Sequence, residues 1–460
     1  MDAVADGREW CPGAARPAWR FAGAAVLVSV QVWLSFAASI DPVAFVLALA
    51  FVVALALSFA STVAGLGLTI LFQIRILQST EQIGLDEAAY ALLFAATLAG
   101  WALREGATAA GRRVLSSPVG RAILVFFGVC IASIVPTVVF GWSPLWWFRN
   151  LVAFATLLLF FPIAGTLTSR PRCLVVVGAA LVVVIFHSVL AVSWYAGAIA
   201  TAKAFWQLEW QRAPLHEVLP MSAVVAGLAG FLLSRSARGA AGWLLLALPG
   251  VGALAASQTR GYWLATAVAA GVLTALARGR RLRALWFALV VVALVAAVGT
   301  AALGGKFVGV ALSMGERAST ISSPLRSLSM QERMAETRAL LSLISHSPLV
   351  GQGLGAEVSY TSPVTHRAFT TTYAHNAYLY LLYKLGVVGL AAFAAFYARA
   401  LASVWRSLRS SGGQARVLLT AGFGLLVSFL PLSLTSPQYY DKSSVLIIAL
   451  ILGGAEAARR

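Results

Sequence analysis

The sequence predicts an all-α polytopic membrane protein. Hydrophobic residues make up 60% of the 460 positions and charged residues only 11%, whereas soluble proteins carry about 25% charged residues. So little charge cannot cover a water-soluble surface of this size, which excludes a soluble enzyme, a disordered chain and a coiled coil. The long apolar runs are continuous in Ala, Val, Leu and Phe, and they are of spanning length. An outer-membrane barrel would instead show short alternating strands, so the runs predict helices.

From residue 88 onward the apolar runs predict eleven membrane spans. The earlier block 21–78 is nearly continuous apolar sequence. It crosses an odd number of times if the arginine-bearing N-terminus is cytoplasmic, so one or three crossings give a bundle of 12–14 transmembrane helices. The chain divides into N-terminal helices (1–303), a long loop (304–374) and C-terminal helices (375–460). The predicted spans are 88–103, 122–140, 150–168, 174–195, 218–233, 240–256, 262–277, 284–303, 375–398, 417–435 and 444–456.

The distribution of basic residues predicts which ends of the spans face the cytoplasm. The chain has 34 basic and 16 acidic residues. The links between spans form two alternating sets. One set holds sixteen arginines and the other holds five basic residues. The arginine-rich set consists of 104–121, 169–173, 234–239, 278–283 and 399–416. Because cytoplasmic loops are rich in Lys and Arg, the first set is cytoplasmic. The basic charge is therefore explained by topology and not by nucleic-acid binding, and the loop 304–374 is expected to be periplasmic.

The loop 304–374 is predicted to contain an amphipathic helix that ends before Ser347-Pro348. The helix either packs on top of the bundle or covers a substrate as a lid. Gly351, Gly353 and Gly355 follow it and predict a tight, flexible turn that could serve as its hinge. Its apolar residues at helical spacing are Met330, Met334, Thr337, Leu341 and Ile344, and Gln331, Glu332, Arg333, Glu336 and Arg338 fall largely on the other side.

His375 is the strongest candidate for a catalytic residue. It begins the span 375–398 on the outer side, where it is followed by Asn376 and, after nine residues, by Gly386-Val387-Val388-Gly389. The two glycines are one helical turn apart, which predicts close approach of another helix. A water-exposed imidazole changes protonation near neutral pH, as a general base requires. A capping or interface histidine is the competing interpretation. The other outer histidines are His216, His346 and His366.

Several arginines are candidates for binding phosphate on the outer side. Arg260 lies in a link of five residues, and Arg149 follows Trp146-Trp147-Phe148. Both depart from the positive-inside bias, and a guanidinium group is a natural bidentate partner of phosphate. The alternative is that each side chain snorkels beside aromatic residues. Arg212, Arg333 and Arg338 add positive charge on the same side, with weaker positional arguments.

The sequence lacks the motifs that usually bind a metal ion or a nucleotide cofactor. Its only aspartates are at 2, 6, 41, 86 and 441, and none forms an Asp-x-Asp or Asp-x-Glu pair. A divalent ion that holds a diphosphate is usually bound by one or two carboxylates. No Walker or Rossmann glycine pattern is present either. We therefore expect neither metal nor cofactor, and any pyrophosphate would be neutralised by arginines.

Three local motifs together resemble the O-antigen ligase and polymerase superfamily of bacterial envelope glycosyltransferases, and the O-antigen ligases most closely. They are His375-Asn376-x9-Gly386-x2-Gly389, Arg260-x3-Leu264 in a short outer link, and His346-x-Pro348-Leu349-x-Gly351-x-Gly353 after the amphipathic helix. The combination of the three motifs in this order carries the resemblance. The motifs cover about a fifth of the chain, and the order of the spans extends the resemblance.

The resemblance implies a GT-C-type, metal-independent glycosyltransferase of the bacterial inner membrane. Such a ligase transfers O-antigen from undecaprenyl pyrophosphate to a sugar hydroxyl of lipid A–core oligosaccharide at the periplasmic face. His375 corresponds to the essential histidine of the family and Arg260 to its essential arginine. Arg149 and Arg212 are expected to help bind pyrophosphate, and Asn376, Arg333 and Arg338 to position substrate.

Three other functions are compatible with parts of the pattern. An O-antigen polymerase shares the motifs but typically has two large outer loops, and a protein O-oligosaccharyltransferase is usually longer. A polysaccharide-lipid transporter would also be basic and span the membrane many times. It would show ionisable residues deep in several spans, and here Lys384 is the main residue of that kind.

Overall fold

The computed structural model describes residues 42–76, 85–202, 217–277, 281–303, 306–319 and 328–460. This part of the chain is mostly helical and includes one two-stranded hairpin. The helices are α1 Pro42–Ala60, α2 Thr62–Leu71, α3 Gln73–Ile76, α4 Leu85–Trp101, α5 Ala109–Leu115, α6 Pro118–Ala132, α7 Ile134–Val139, α8 Pro144–Ala155, α9 Phe160–Thr166, α10 Arg170–Thr201, α11 Val218–Leu233, α12 Ala237–Ser257, α13 Arg260–Leu276, α14 Arg281–Leu303, α15 Lys306–Ser319, α16 Leu328–His346, α17 Ala377–Ser410, α18 Gly413–Leu432 and α19 Lys442–Ala457, with a π-helical turn Ala102–Gly106 and a 3-10 turn Thr156–Leu159. The hairpin consists of β1 Val358–Thr361 and β2 Ala368–Thr371, which pair antiparallel.

The lengths of the helices confirm a multi-pass membrane protein. Each of the eleven spans predicted from residue 88 onward coincides with helical structure, and α17 continues past the predicted end at residue 398 to Ser410. The total of 12–14 spans stays a prediction, because residues 21–41 and 77–78 lie outside the described residues. Within the described residues, seven helical segments are long and apolar enough to cross a membrane: Pro118–Val139, Pro144–Thr166, Arg170–Thr201, Ala237–Ser257, Leu282–Ala301, Ala377–Ser410 and Gly413–Leu432.

Small residues bring the helices α11 and α12 into close contact. A Cβ atom at Gly230 would lie 2.0 Å from the ring of Trp243, and one at Gly227 would lie 2.6 Å from the Cβ atom of Ala247. Van der Waals packing between small residues is a major source of stability when helices associate in lipid. The close contact also fixes the ring of Trp243 against the backbone of α11.

The helix α17 is interrupted near its start by Gly386. This residue has φ 66° and ψ −170°, a conformation that is essentially restricted to glycine. The interruption leaves backbone groups of α17 without helical partners, which in a membrane must be satisfied by other parts of the protein. The segment 348–353 provides the partners. The four hydrogen bonds run from Gln352 N to Tyr383 O (2.8 Å), Gly353 N to Lys384 O (2.9 Å), Val387 N to Pro348 O (2.9 Å) and Val388 N to Leu349 O (3.1 Å).

This arrangement corrects two predictions from the sequence. A turn segment that follows α16, and not another helix, approaches the backbone at Gly386. Gly351 and Gly353 have φ 73° and φ 88° and are buried, and a Cβ atom at Gly351 would lie 2.5 Å from the carbonyl group of Lys384. The glycines therefore hold the segment 348–353 tightly against α17, so the turn is not the flexible hinge that was expected. The motifs around Pro348 and Gly386 form a single packed unit.

The helix α16 and the hairpin lie next to the start of α17. The helix ends at His346, as predicted. The Ser362 hydroxyl donates a hydrogen bond to the Glu332 carboxylate, which joins the hairpin turn to α16. The Tyr383 hydroxyl donates to the carbonyl oxygen of Ala356 (2.6 Å), so the chain that leads into the hairpin is attached to α17. Together these contacts hold α16 and the hairpin next to the start of α17.

Candidate functional site

His375 is held by a buried carboxylate from α16. The backbone N–H of His375 donates to Glu336 Oε2 (3.0 Å), and its ring Nδ1 lies 3.1 Å from the same oxygen and 3.2 Å from Glu336 Oε1. The Glu336 side chain is 2% exposed, whereas that of His375 is 37% exposed. Because a carboxylate only accepts hydrogen bonds, the ring hydrogen of a neutral His375 is assigned to Nδ1. Nε2 is then left with its lone pair, which is the form that a general base requires.

The placement of Glu336 corrects the predicted environment of its helix face. The sequence pattern places Glu336 with the polar residues away from the apolar stripe, but in the structure it faces the protein together with Leu340, which is fully buried. Met334 and Leu341, from the apolar stripe, are instead 40% and 51% exposed. The hydrophobic pattern therefore did not identify the buried face of α16. An exposed apolar stripe is compatible with the predicted membrane-facing or lid position, which stays a prediction.

Aromatic side chains surround His375 on the side toward α19. The ring of Tyr373 packs edge-on against the His375 ring, with 5.0 Å between the ring centres. The Tyr440 hydroxyl accepts a hydrogen bond from the backbone N–H of Ala374 (2.9 Å) and donates to the carbonyl oxygen of the same residue. Desolvation raises the pKa of Tyr373, and the carboxylates of Glu336 and Asp441 raise it further. Tyr373 is therefore protonated near neutral pH and can donate a hydrogen bond but cannot serve as the base.

Asn376 caps the helix that follows His375. Its side-chain oxygen accepts hydrogen bonds from the backbone N–H groups of Tyr378 and Leu379, both at 3.0 Å. This is the usual geometry of an N-cap residue, and it explains why α17 begins at Ala377. The cap fixes the direction in which the chain leaves His375. The predicted role of Asn376 in positioning substrate stays a prediction.

Arg260 is the first residue of α13, which agrees with its predicted place at the start of a helix. The preceding Thr259 donates its hydroxyl hydrogen to Glu217 Oε1 (2.9 Å). Two residues further on, the Tyr262 hydroxyl accepts from Gln438 Nε2 (2.7 Å). Gln438 belongs to the link between α18 and α19, as does Tyr440, which binds the backbone beside His375. The link 436–441 therefore connects the start of α13 to the start of α17.

Arg149 borders a small cavity together with a second basic residue, Lys442, which no sequence motif indicates. The cavity has a volume of about 120 Å³ and is lined by residues that include Tyr90, Arg149 and Lys442. The Arg149 guanidinium group stacks on the ring of Trp146, with 5.0 Å from Cζ to the ring centre. Lys442 directly follows Asp441, whose charge acts on Tyr373 beside His375. Both basic side chains border this largely apolar cavity, and the stacking of Arg149 on Trp146 fits the alternative interpretation of that residue. The predicted binding of pyrophosphate by Arg149 stays a prediction.

Of the three remaining predicted arginines, two lie within the described residues. Arg333 is one turn before Glu336 on α16, and its positive charge lowers the pKa of Tyr373 against the dominant effect of desolvation. Arg338 is exposed on the same helix. Arg212 lies outside the described residues, as does His216. The roles predicted for these three arginines stay predictions.

Lys384 has a structural role in the described chain. It is fully buried, and its Nζ atom donates hydrogen bonds to the carbonyl oxygens of Leu354 (3.0 Å) and Ala356. Asn150 Nδ2 donates to the same Leu354 oxygen (2.9 Å). Lys384 thus attaches the chain before the hairpin to the interrupted part of α17. This structural role weakens its value as a marker of a transporter.

A comparison with protein families gives a match over the part of the chain that contains Arg260, Glu336 and His375. Residues 240–394 match a family model described as O-antigen ligase. The matched segment is about one third of the chain and extends from α12 into α17. Comparison with curated proteins found no match. The family match confirms the resemblance to the O-antigen ligase and polymerase superfamily, and it spans the segment that carries Arg260, Glu336 and His375.

Proposed function

We propose that the protein is a bacterial inner-membrane O-antigen ligase. It transfers O-antigen polysaccharide from undecaprenyl pyrophosphate to a sugar hydroxyl of lipid A–core oligosaccharide at the periplasmic face. The family match supports a ligase or polymerase type of activity. The observation that carries the proposal is the exposed imidazole of His375, held through Nδ1 by the buried Glu336 at the start of α17.

The proposed chemistry is a single displacement at the anomeric carbon. The acceptor hydroxyl oxygen forms the new glycosidic bond as the bond to the pyrophosphate oxygen breaks, which inverts the anomeric configuration. His375 Nε2 takes the hydroxyl proton, and the Glu336 carboxylate stabilises the imidazolium ion that forms. General-base catalysis of this kind contributes about 10²–10⁴-fold to a rate. The Nδ1 hydrogen bond gives Glu336 the orienting role of the acid in a catalytic triad.

The leaving pyrophosphate needs positive charge but no proton. Preorganised cations that face the developing charge stabilise the transition state. Arg260 is the first candidate because of its family motif and its position at the start of α13. Arg149 and Lys442 border one cavity beside the start of α19 and are candidates for a second cationic position, and Arg212 is a further candidate. With arginines in this role the reaction is expected to proceed without a metal ion.

An O-antigen polymerase is the second candidate function, because the family match supports both activities. The two differ in the acceptor. A polymerase adds the growing glycan to another lipid-linked glycan, whereas a ligase adds it to lipid A–core.

A transfer reaction with purified protein tests the proposal. Polyprenyl-pyrophosphate glycan and lipid A–core are incubated with the full chain in excess EDTA and without ATP, and products are separated by gel electrophoresis. We expect lipid A–core to gain the glycan. Longer polyprenyl-linked glycan formed from the donor alone would identify a polymerase. A strict requirement for magnesium or manganese would contradict the arginine-based mechanism, and the absence of any transfer would contradict both functions.

A further inference from the structure

A second, larger cavity lies at the opposite end of the bundle, beside the arginine-rich links. Its volume is about 560 Å³, within the range of about 300–1,000 Å³ that is typical of ligand pockets. It is formed where α11 ends, α12 begins, α13 ends and α18 begins. Its lining residues are Leu233, Ser234, Arg235, Trp243, Leu276, Ala277, Gly412, Gly413, Gln414, Arg416 and Val417. We call it the arginine cavity.

The walls of the arginine cavity are largely apolar and are fixed by helix packing. Leu233, Leu276 and Val417 come from three different helices. The Trp243 ring is held in place because Gly230 leaves no side chain between it and the backbone of α11. The main chain at the rim is also held, since Arg283 Nη1 donates to the carbonyl oxygen of Ser234 (3.0 Å). The cavity is thus a preformed feature of four packed helices.

The polar part of the arginine cavity is suited to an anion. Arg235 and Arg416 both line it and are both exposed, so an approaching ligand can reach the two guanidinium groups. Guanidinium groups bind phosphate oxygens with charge-assisted hydrogen bonds. The start of α18 adds to the positive potential, because its N-cap residue Gly412 has no side chain with which to cap the helix. Two arginines and a helix N-terminus therefore border the same volume.

We propose that the arginine cavity binds the phosphate headgroup of an anionic membrane phospholipid. A phospholipid fits better than a free phosphate because the arginines lie beside apolar walls, at the end of the bundle where the link arginines predict the cytoplasmic membrane surface. Anionic lipids are enriched on that surface and bind in basic pockets between helices. This site goes beyond the proposed transfer reaction, since it lies at the cytoplasmic ends of the helices and uses none of the residues assigned to catalysis.

Lipid binding to the purified full chain in detergent tests the proposal. Dioleoyl phosphatidylglycerol, dioleoyl phosphatidylcholine and inorganic phosphate are titrated separately, and occupancy is measured by native mass spectrometry. We expect phosphatidylglycerol to bind at least about tenfold more tightly than phosphatidylcholine, because each nearby arginine contributes roughly 1 kcal/mol to the attraction of an anionic lipid. Equal binding of the two lipids would overturn the proposal. Inorganic phosphate that binds as tightly as phosphatidylglycerol would show a phosphate site, which would also overturn it.

Variants then assign the binding to the cavity. Arg235→Gln combined with Arg416→Gln should weaken phosphatidylglycerol about 10- to 30-fold. The matched control is Arg170→Gln combined with Arg172→Gln, which removes two exposed arginines from another link of the same predicted face. If both pairs weaken binding equally, the attraction comes from general surface charge and the cavity has no specific role.

Gln414→Glu provides a second test that does not depend on removing a charge. The position is in the first turn of α18, where an acidic residue stabilises a helix, so this variant should fold. Its carboxylate would repel a phosphate from the arginine cavity, and we expect about tenfold weaker binding of phosphatidylglycerol. Gel filtration and thermal unfolding confirm folding of each variant. Unchanged lipid affinity in Gln414→Glu would place the lipid elsewhere and contradict the proposal.

Discussion

The buried carboxylate of Glu336 accepts hydrogen bonds from both the backbone N–H and the ring Nδ1 of His375. The two residues are 39 positions apart in the sequence, and they meet because α16 lies across the start of α17. One carboxylate thus fixes the ring and the main chain together. This leaves Nε2 as the nitrogen that can take a proton from an acceptor.

We expect Glu336→Gln to slow transfer roughly 10²-fold without weakening donor binding. The amide lacks the negative charge that stabilises the imidazolium ion, and it also weakens control of the tautomer. The measurement is kcat and donor KM over a range of pH, with Glu336→Asp as the conservative variant, which should recover part of the rate. Glu332→Gln is the matched control, because Glu332 lies one turn away on α16 and binds Ser362. Equal losses of kcat in both glutamine variants would indicate a structural role for Glu336.

The sequence predicted the helices of the eleven spans from residue 88 onward well, because each of these spans is an apolar run between polar links. It also placed His375 and Arg260 at the starts of helices, since both positions follow from where an apolar run begins. The partner of His375 could not be found in this way. Glu336 lies in a mostly polar stretch of α16, and its burial depends on how that helix packs against α17. No periodic pattern within one helix contains that information.

The glycine motifs also show that a local sequence pattern does not reveal which segment packs against it. Their spacing correctly indicated close packing, but spacing cannot distinguish an approaching helix from a turn segment. The positive φ of Gly386 is a property of the folded chain, and so is its contact with Leu349. Lys442 was also overlooked, because its neighbour Arg149 is almost 300 positions away in the sequence and only the fold brings the two together.

Gly386→Ala is expected to destabilise the protein by about 2 kcal/mol or more. The added Cβ atom would lie 2.2 Å from the carbonyl oxygen of Leu349, at a φ that alanine rarely adopts. The apparent unfolding temperature in detergent, measured by fluorescence-detected gel filtration, should fall. Gly128→Ala in α6 is the control, since its added Cβ atom would have no atom within 4 Å beyond its chain neighbours and the nearby backbone of its own helix. That variant should keep or slightly raise the unfolding temperature. Equal behaviour of the two variants would contradict the tight packing at Gly386.

Arg149→Gln and Lys442→Gln should each raise the donor KM, by about tenfold at low salt. Both side chains border the same small cavity, so each removes one positive charge from the proposed second phosphate position. Because the two charges would bind one ligand, the double variant should deviate from the product of the single effects. Arg367→Gln, at an exposed position in the hairpin, is the control for net charge. A donor KM that changes equally in Arg367→Gln would rule out a specific site.

Arg260→Ala should greatly reduce transfer while the protein remains folded in the membrane. Arg260→Lys retains the charge but loses the bidentate geometry of the guanidinium group, so it should also be impaired. The comparison uses kcat/KM for the donor, with membrane insertion measured on the same preparations. Wild-type turnover in Arg260→Lys would show that a point charge is sufficient and would contradict bidentate binding of pyrophosphate.

His375→Ala is expected to abolish transfer and leave donor binding intact. Tyr373 cannot replace the imidazole, because desolvation and the nearby carboxylates raise its pKa and keep it protonated. Loss of a general base costs about 10²–10⁴-fold in rate, so residual activity near the detection limit is compatible with the mechanism. The deciding measurement pairs donor affinity with transfer rate on one preparation. His346→Ala is the control, because that histidine is exposed at the end of α16 and its ring Nδ1 lies 2.7 Å from a backbone oxygen of the same helix. If donor affinity falls together with the rate in His375→Ala, the residue binds substrate or maintains structure, and another group must act as the base.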